Sequence, residues 1–310
     1  MQTTAIVFPG QGSQRVGMAQ DFCAEFPESA AVFDEASEAL SLDLRALCGD
    51  DSRLSLTEYT QPAILVAEVA MFRALAAHFG LRGGLYGGHS LGEYSALVVA
   101  GALPLVEAAR LVRERGRRMQ EAVPRGEGAM AAVIRDGLDA DVLRALTEGL
   151  VVDLANLNAP DQIVLSGKAE DVAQAVARIE ASPALAGARA KLLDVSAPFH
   201  SRLMATIEPG FRALLVASSP TWDAGAARLV VSNYTGGFHT GRSEDLMDAL
   251  TRQISGGVRW MDNMRALLEQ RPGRLLEIGP NRPLRGFFRA LDADVEAIFN
   301  VVTARRVLGA

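Results

Sequence analysis

Cysteine is scarce in this chain of 310 residues, which contains only Cys23 and Cys48. Two cysteines without the spacing of paired metal ligands exclude a disulfide framework and argue against a structural zinc site. The first residues lack the charged leader and small-residue cleavage site of a signal peptide. We therefore expect a protein of the reducing cytoplasm.

Basic patches and long apolar runs are also lacking. The formal net charge is -6, the isoelectric point is near 5.4, and charges of both signs are interspersed. The sequence therefore predicts no nucleic-acid partner. No apolar run reaches the length needed to cross a bilayer, so we expect no membrane partner. At 49% hydrophobic residues, the chain can form a large α/β domain with a smaller insert.

Short apolar runs alternate with segments of helical periodicity, a pattern that predicts a parallel α/β sheet. One such strand, at 5–8, leads into the glycine loop Pro9-Gly10-Gln11-Gly12-Ser13-Gln14. The other strands predicted for this part of the fold lie at 83–88, 229–232 and 275–278, and the predicted helices lie at 29–40, 61–79, 91–100 and 105–123.

The pattern changes after the turn-rich segment at 124–128. Six elements follow in the order βαββαβ, the split βαβ arrangement of a ferredoxin-like unit. They lie at 129–134, 139–148, 151–155, 162–166, 169–181 and 190–195. We therefore expect a small ferredoxin-like subdomain over 127–195, inserted into a large subdomain formed by 1–126 and 196–310.

The most informative motif is Gly88-His89-Ser90-Leu91-Gly92, a Gly-x-Ser-x-Gly pentapeptide between a predicted strand and a predicted helix. This context is typical of a nucleophilic serine on a tight strand-to-helix turn. Glycines on both sides permit the close backbone packing that such a turn needs. The alternative is that Ser90 only caps the following helix.

A nucleophilic serine needs a base, and the chain has four histidines. His89 follows Gly88 directly and is poorly aimed, while His78 lies at the end of a predicted helix, where the helix dipole favours it. His239 lies in a glycine-rich segment that we expect to be a surface loop. His200 follows the rigid turn Ser196-Ala197-Pro198-Phe199, so it is the preferred base, with His239 second.

The negative charge of a tetrahedral intermediate requires preorganised N–H donors. The amide of Leu91, directly after the serine, supplies one donor. The Gly10-Gln11-Gly12 loop is the candidate for the other. A dinucleotide-binding loop is the rival interpretation, but Arg15 stands where the third glycine of that fingerprint belongs.

These motifs resemble those of malonyl-CoA:acyl carrier protein transacylases, including the acyltransferase domains of polyketide synthases. The likeness extends from about Ile6 to Phe287 and rests on motifs that occur in family order: Gly10-Gln11-Gly12-Ser13-Gln14, Gly88-His89-Ser90-Leu91-Gly92-Glu93, Arg115-Gly116 with Met119-Gln120, Pro198-Phe199-His200-Ser201, and Glu277-Ile278-Gly279-Pro280. The resemblance implies an α/β-hydrolase-like large subdomain with a parallel sheet and a ferredoxin-like insert.

The resemblance also implies roles for individual residues. Ser90 and His200 would form a catalytic dyad, and a backbone carbonyl near Gln253 would orient the histidine or position the substrate. The oxyanion N–H groups would belong to Gln11 and Leu91. The same resemblance makes Arg115 the residue that binds the free malonyl carboxylate, which a planar guanidinium can hold through two parallel hydrogen bonds. Phe199 would favour malonyl over branched acyl groups.

The function implied is transfer of a malonyl group from malonyl-CoA to the phosphopantetheine thiol of an acyl carrier protein, in ping-pong order through a malonyl-Ser90 intermediate. We expect a monomer that needs no metal or redox cofactor and serves fatty acid or polyketide synthesis. Two alternatives remain open. One is a stand-alone polyketide synthase acyltransferase with another acyl preference, and the other is a thioester hydrolase that clears carrier proteins.

Overall fold

A computed structural model describes residues 3–309, which form eight strands, fourteen α-helices and four short 3-10 helices. The strands are β1 (Thr4–Phe8), β2 (Leu85–Gly88), β3 (Gly128–Ile134), β4 (Val152–Ala159), β5 (Gln162–Lys168), β6 (Arg189–Leu192), β7 (Arg274–Ile278) and β8 (Glu296–Ile298). The 3-10 helices are Pro183–Leu185, Arg202–Ile207, Ser219–Thr221 and Ala226–Leu229.

The α-helices surround the strands and make up most of the regular structure. They are α1 (Gln20–Glu25), α2 (Pro27–Leu40), α3 (Leu44–Cys48), α4 (Asp51–Leu54), α5 (Thr57–His78), α6 (Gly92–Val99), α7 (Leu105–Glu121), α8 (Ala140–Leu146), α9 (Ala169–Glu180), α10 (Glu208–Ser218), α11 (Ser243–Arg252), α12 (Trp260–Glu269), α13 (Leu284–Arg289) and α14 (Val301–Leu308).

The first sheet is parallel, with strand order β2-β1-β7-β8. Alternate side chains of β1 enter different cores, because successive strand residues point to opposite faces. Ile6 and Phe8 pack in the core that includes α2, α5, α6 and α7, while Ala5 and Val7 pack with residues of α12 and α13. Burial on both faces explains why this strand is a continuous apolar run.

The second sheet is antiparallel, with strand order β4-β5-β3-β6. Ala131 and Val133 on β3 pack against α8 and α9 in a separate apolar core. This βαββαβ order confirms the predicted fold class. Since all strands of this sheet fall between residues 128 and 192, we propose the boundaries 127–195 for the small subdomain and 1–126 with 196–310 for the large one.

The long helix α5 lies inside the large subdomain, although no membrane-length apolar run was expected. By length and composition this helix could cross a bilayer, but 78% of its most apolar window is buried within the protein. It packs closely on α7, since a Cβ at Gly116 would lie 2.5 Å from the carbonyl oxygen of Thr57. The same packing brings the neighbouring Arg115 beside α5.

Two strand assignments differ from the sequence prediction. The segment predicted as a strand at 229–232 contributes only single bridges, from Val230 to Tyr86 and from Val231 to Phe238, and its first residue ends a 3-10 helix. Val230 and Val231 are buried without a continuous ladder, while Leu229 is exposed. Conversely, β8 was not predicted, because three residues are too few to give a periodic signal.

Candidate active site

Ser90 occupies the turn between β2 and α6, at the carboxyl edge of the parallel sheet. Its φ is 52°, a left-handed conformation that is strained for a residue other than glycine. The flanking glycines permit this turn: a Cβ at Gly88 would lie 1.9 Å from the carbonyl carbon of Gly92. A Cβ at Gly92 would lie 2.2 Å from the oxygen of Phe8. The alternative that Ser90 caps the helix is wrong, since α6 has Leu91 at its N-cap and no side-chain cap bond.

His200 lies directly against this serine. Its Nε2 is 2.7 Å from Oγ of Ser90, and its Nδ1 is 2.8 Å from the main-chain oxygen of Gln253. A carbonyl oxygen can only accept, so Nδ1 carries the proton and Nε2 is left to accept the serine hydroxyl proton. His200 also has a positive φ of 57°. The structure thus brings together the serine, the histidine and the carbonyl acceptor.

The imidazole is held in its neutral form. Burial, reinforced by the nearby charge of Arg115, lowers the pKa of His200 to about 3, while its backbone hydrogen bond to Gln253 raises it by less. His200 is only 4% exposed. Because only a neutral ring can take a proton, His200 is able to accept one throughout the neutral pH range.

Arg115 is the buried member of an arginine-rich helix. Its side chain is 1% exposed, with Nη1 2.8 Å from Oε1 of Gln61 and Nη2 2.9 Å from Oε1 of Gln253. Nη2 also lies 3.2 Å from Oγ of Ser90. Four other arginines of α7 pair with glutamates instead: Arg110 with Glu107, Arg113 with Glu58, and Arg117 and Arg118 with Glu114.

No carboxylate pairs with Arg115 in the part of the chain that the structure describes, and its buried Nε has no hydrogen-bond partner there. A buried cation held only by neutral groups is poorly compensated. The arrangement therefore favours an anionic group beside the serine.

A strained serine, a neutral histidine oriented by a carbonyl, and a buried arginine without a directly paired carboxylate suit acyl transfer from an acidic acyl group. Residues 5–234 match the acyl transferase domain family. The malonyl CoA-acyl carrier protein transacylase of Escherichia coli K12 is 41% identical over 297 residues, spanning 94% of this chain and 93% of the relative. The chain belongs to the acyl transferase family.

Solved structures of acyl transferases are similar over nearly the whole chain. The malonyl-CoA:acyl carrier protein transacylase of Xanthomonas oryzae pv. oryzae superposes with a TM-score of 0.91 at 39% identity, covering 99% of this chain and 98% of that one. The transacylase PlMCAT, solved in complex with the type II PKS acyl-carrier protein AntF, has a TM-score of 0.89 at 38% identity, with 99% of each chain covered.

The two expected oxyanion donors lie on adjoining segments of this acyl transferase. Phe8 pairs with Gly88 in the sheet, and a Cβ at Gly10 would lie 2.4 Å from the oxygen of His89. The Gln11 loop therefore runs beside the Ser90 turn. Among the hydrogen bonds of residues 3–309, neither the Gln11 nor the Leu91 amide has an acceptor, so both remain candidate donors.

The remaining predicted residues have distinct surroundings. Phe199 is 8% exposed beside His200. His89 hydrogen-bonds through Nε2 to Oδ1 of Asn158 at 2.8 Å, which confirms that it points away from the serine hydroxyl. The expectation of a surface loop for His239 is wrong. Its Nε2 lies 2.9 Å from Oε1 of Glu93, and the residue is 7% exposed.

Three polar residues around the dyad were missed by the sequence analysis: Gln61, Glu93 and Asn233. Oδ1 of Asn233 accepts the Ser90 amide at 2.5 Å, and its Nδ2 donates to the oxygen of Gly88 at 2.7 Å. Glu93 is fully buried. A charged residue within the apolar stretch of α6 was the available signal, since lone carboxylates are rarely buried without a specific partner.

Proposed function

We propose that this protein transfers a malonyl group from malonyl-CoA to the phosphopantetheine thiol of an acyl carrier protein, through a malonyl-Ser90 intermediate. The observation that carries the proposal is the buried guanidinium of Arg115, 3.2 Å from Oγ of Ser90 and without a carboxylate of the described chain as partner. The free carboxylate of malonyl lies one methylene beyond the acyl carbon that Ser90 attacks. A cation this close to the nucleophile can bind it.

In the first half-reaction, Nε2 of His200 takes the hydroxyl proton as Oγ of Ser90 bonds to the thioester carbon. The negative oxygen of the tetrahedral intermediate is held by the amides of Gln11 and Leu91. The C–S bond then breaks, and the CoA sulfur takes the proton from His200. Malonyl remains bonded to Ser90 as an ester.

The second half-reaction reverses these steps with the carrier thiol as nucleophile. His200 takes the thiol proton, the sulfur bonds to the acyl carbon, and the proton returns to Oγ of Ser90 as the ester bond breaks. Acyl transfer from thioester to thioester involves no change of oxidation state, so no redox cofactor takes part, and the two N–H groups take the role a metal would otherwise fill.

The pantetheine arm must bring its sulfur within reach of Nε2 of His200 in both half-reactions. His200 lines a groove of about 810 Å³ between the two subdomains, with Asp153 and Leu154 on one side and Ser255 and Gly256 on the other. This groove supports a path along which the arm reaches the dyad. The PlMCAT structure, with its bound acyl-carrier protein, supports a carrier protein as the acceptor.

Three features support the remaining parts of the proposal. Ser90, His200, Gln253 and Arg115 bond one another within a single chain, so one chain supplies these polar groups and we propose a monomer. Cys23 and Cys48 are both free thiols in the structure, as fits a cytoplasmic enzyme of fatty acid or polyketide synthesis. Phe199, beside the base, would disfavour an α-methyl branch by about 1–3 kcal/mol.

The proposal is tested by intact-protein mass spectrometry after brief incubation with malonyl-CoA, acetyl-CoA or methylmalonyl-CoA. We expect a malonyl adduct that is absent from Ser90→Ala and that moves to an added holo carrier protein. Release of free malonate without carrier protein, and no transfer when it is added, would identify a thioester hydrolase instead. An adduct that persists in Ser90→Ala would contradict the assigned nucleophile.

A further inference from the structure

Glu93 joins the separate parts of the site. Its carboxylate is fully buried and receives three hydrogen bonds, from Nε2 of His239 at 2.9 Å, Nε2 of Gln253 at 2.6 Å and the amide of Asn233 at 3.1 Å. All three partners are donors, so both oxygens act purely as acceptors. Its hydrogen bonds include neither the Ser90 hydroxyl nor the His200 ring, so any effect on the reaction passes through its partners.

We infer that Glu93 is a positioning residue, which fixes Gln253 and Asn233 and through them the nucleophile, the base and the arginine. This inference rests on the proposed function for the roles of Ser90, His200 and Arg115. His239 completes the arrangement by supplying the third donor from a different segment of the chain.

The first path from Glu93 runs through the side-chain amide of Gln253. Its Nε2 donates both protons, one to Oε2 of Glu93 at 2.6 Å and one to the main-chain oxygen of Ser90 at 3.0 Å. The amide oxygen must then face Arg115, whose Nη2 donates to it at 2.9 Å. Without the Glu93 acceptor, a flipped amide would direct N–H groups at the guanidinium, where two donors would meet without an acceptor.

The same residue carries the carbonyl that orients His200. Gln253 follows α11 directly, and its side chain is anchored by Glu93, Ser90 and Arg115 together. Because this side chain is anchored, the main-chain carbonyl of Gln253 is restricted in its orientation. Glu93 therefore holds both the ring tautomer of His200 and the direction of the arginine, each through one intermediate residue.

The second path runs through Asn233 to the strained turn. Glu93 accepts the main-chain amide of Asn233, and the Asn233 side chain bonds both the amide of Ser90 and the oxygen of Gly88. These bonds bridge the two sides of the turn. Since the φ of Ser90 is unfavourable, such contacts are needed to hold the serine in place.

The test is the rate at which Ser90 is acylated in a single turnover, followed by intact mass, in variants at position 93. Glu93→Met keeps the length of the side chain but cannot accept the three hydrogen bonds. Glu93→Gln retains one oxygen acceptor. Glu68→Gln is the matched control, because Glu68 is also a fully buried carboxyl, on α5, and bonds none of these residues.

We expect Glu93→Met to slow malonylation about 100-fold and Glu93→Gln about tenfold, the range that small displacements of reacting groups produce. Because Arg115 loses its alignment, the ratio of malonylation to acetylation should fall about tenfold in Glu93→Met. A role in folding alone would leave that ratio unchanged. The Glu68→Gln control should stay within about twofold of the original chain in both rate and ratio, since it disturbs no group of the site.

Circular dichroism and thermal unfolding accompany each variant. A folded Glu93→Met protein with the original rate and ratio would overturn the inference. If that variant does not fold, Glu93→Gln decides: a tenfold loss supports the positioning role, and a rate within twofold overturns it.

The experiment is repeated with p-nitrophenyl acetate, which acylates an activated serine without CoA. Absence of a malonyl adduct on the original chain would count against the proposed function alone. If the rate with p-nitrophenyl acetate falls from the original chain to Glu93→Gln and again to Glu93→Met, the result would still support Glu93 as the residue that positions the dyad. Equal reactivity across that series would overturn the inference even if malonyl transfer is established.

Discussion

Nδ1 of His200 lies 2.8 Å from the main-chain oxygen of Gln253, so a peptide carbonyl orients this imidazole. A carbonyl fixes the tautomer as a carboxylate would, but it adds no negative charge to stabilise the imidazolium. Burial, reinforced by the charge of Arg115, therefore lowers the pKa of His200 to about 3, and the hydrogen bond to Gln253 offsets only part of that shift.

The rate of Ser90 acylation should therefore show no acid limb near pH 6.5, the ordinary value for histidine. Only a neutral ring can act as a base, and the ring of His200 stays neutral in the folded free enzyme well below that pH. The measurement is the rate constant for acylation by p-nitrophenyl acetate from pH 5 to pH 8. A fall centred on pH 6.5 in protein that is still folded would contradict this expectation.

The same shift predicts a loss of stability in acid. The pKa of His200 is lower in the folded chain than in the unfolded chain, so the unfolded chain binds the proton first. The contribution of His200 to stability is complete above about pH 6.5 and is lost as the pH falls from there towards 3. Urea unfolding at several pH values measures it. His200→Phe should show a smaller decline over that interval.

Arg115→Ala should lower malonyl transfer about tenfold to a thousandfold while sparing acetyl transfer. The reason is that only malonyl carries the second carboxylate. Arg115→Lys should recover part of the loss, because an ammonium offers charge without the planar pair of donors. Steady-state rates with malonyl-CoA and acetyl-CoA check this, with Arg110→Ala, on the exposed face of the same helix, as control. Equal losses for both acyl groups would argue against carboxylate binding.

Gly88→Ala should abolish activity by displacing the serine turn. Its Cβ would lie 1.9 Å from the carbonyl carbon of Gly92, a contact that only backbone movement can relieve. We expect acylation to fall by more than about 100-fold and stability by about 2 kcal/mol or more.

The matched control for this glycine is Gly286→Ala. Gly286 lies in α13 and a Cβ there would meet no atom within 4 Å. That change should preserve the acylation rate and stabilise the helix by up to about 1 kcal/mol. A normal acylation rate in Gly88→Ala would show that the turn tolerates a side chain.

Glu68→Met should stabilise the protein. Both carboxyl oxygens of Glu68 are buried without a hydrogen-bond partner among residues 3–309, and burial raises the pKa well above its ordinary value. Replacement by an apolar side chain of similar length removes that desolvation cost, with an expected gain of about 1–3 kcal/mol.

The sign of the pH dependence gives this prediction a check of its own. The pKa of Glu68 is higher in the folded chain than its ordinary value of 4.5. The carboxyl therefore lowers the free energy of unfolding least below that pH, and it lowers it more as the pH rises above that value. The gain from Glu68→Met should thus be larger at pH 8 than at pH 4. A gain that is equal at both values would mean that Glu68 keeps its ordinary pKa.

Local signals predicted the parts of the site that depend on neighbours in the chain. The glycines around Ser90 fix a turn within five residues, and the sequence therefore identified it. Glu93 and His239 are 146 positions apart, and nothing in the glycine-rich segment around His239 indicates that it folds inward. Likewise, the sequence analysis chose Arg115 among the arginines of α7 only through the family resemblance, whereas the structure places it on the buried face of that helix with Val112 and Met119.

The strand predicted at 229–232 failed for a related reason. Val230 and Val231 are buried beside Tyr86 at the edge of the parallel sheet, and burial alone does not require a hydrogen-bonded ladder. A buried strand and a buried irregular segment contain the same residue types, so the sequence at 229–232 could not distinguish the two.

The bonds that define this site span most of the chain. Gln253 reaches Ser90 across 163 positions, and His200 reaches Ser90 across 110. We expect contacts between such distant segments to form late in folding, because they require large loops to close. Reactivity of Ser90 towards an acyl donor is consequently a kinetic marker for the end of folding: it should appear after helical structure has formed, and a nascent chain still lacking α11 and Gln253 should not be acylated.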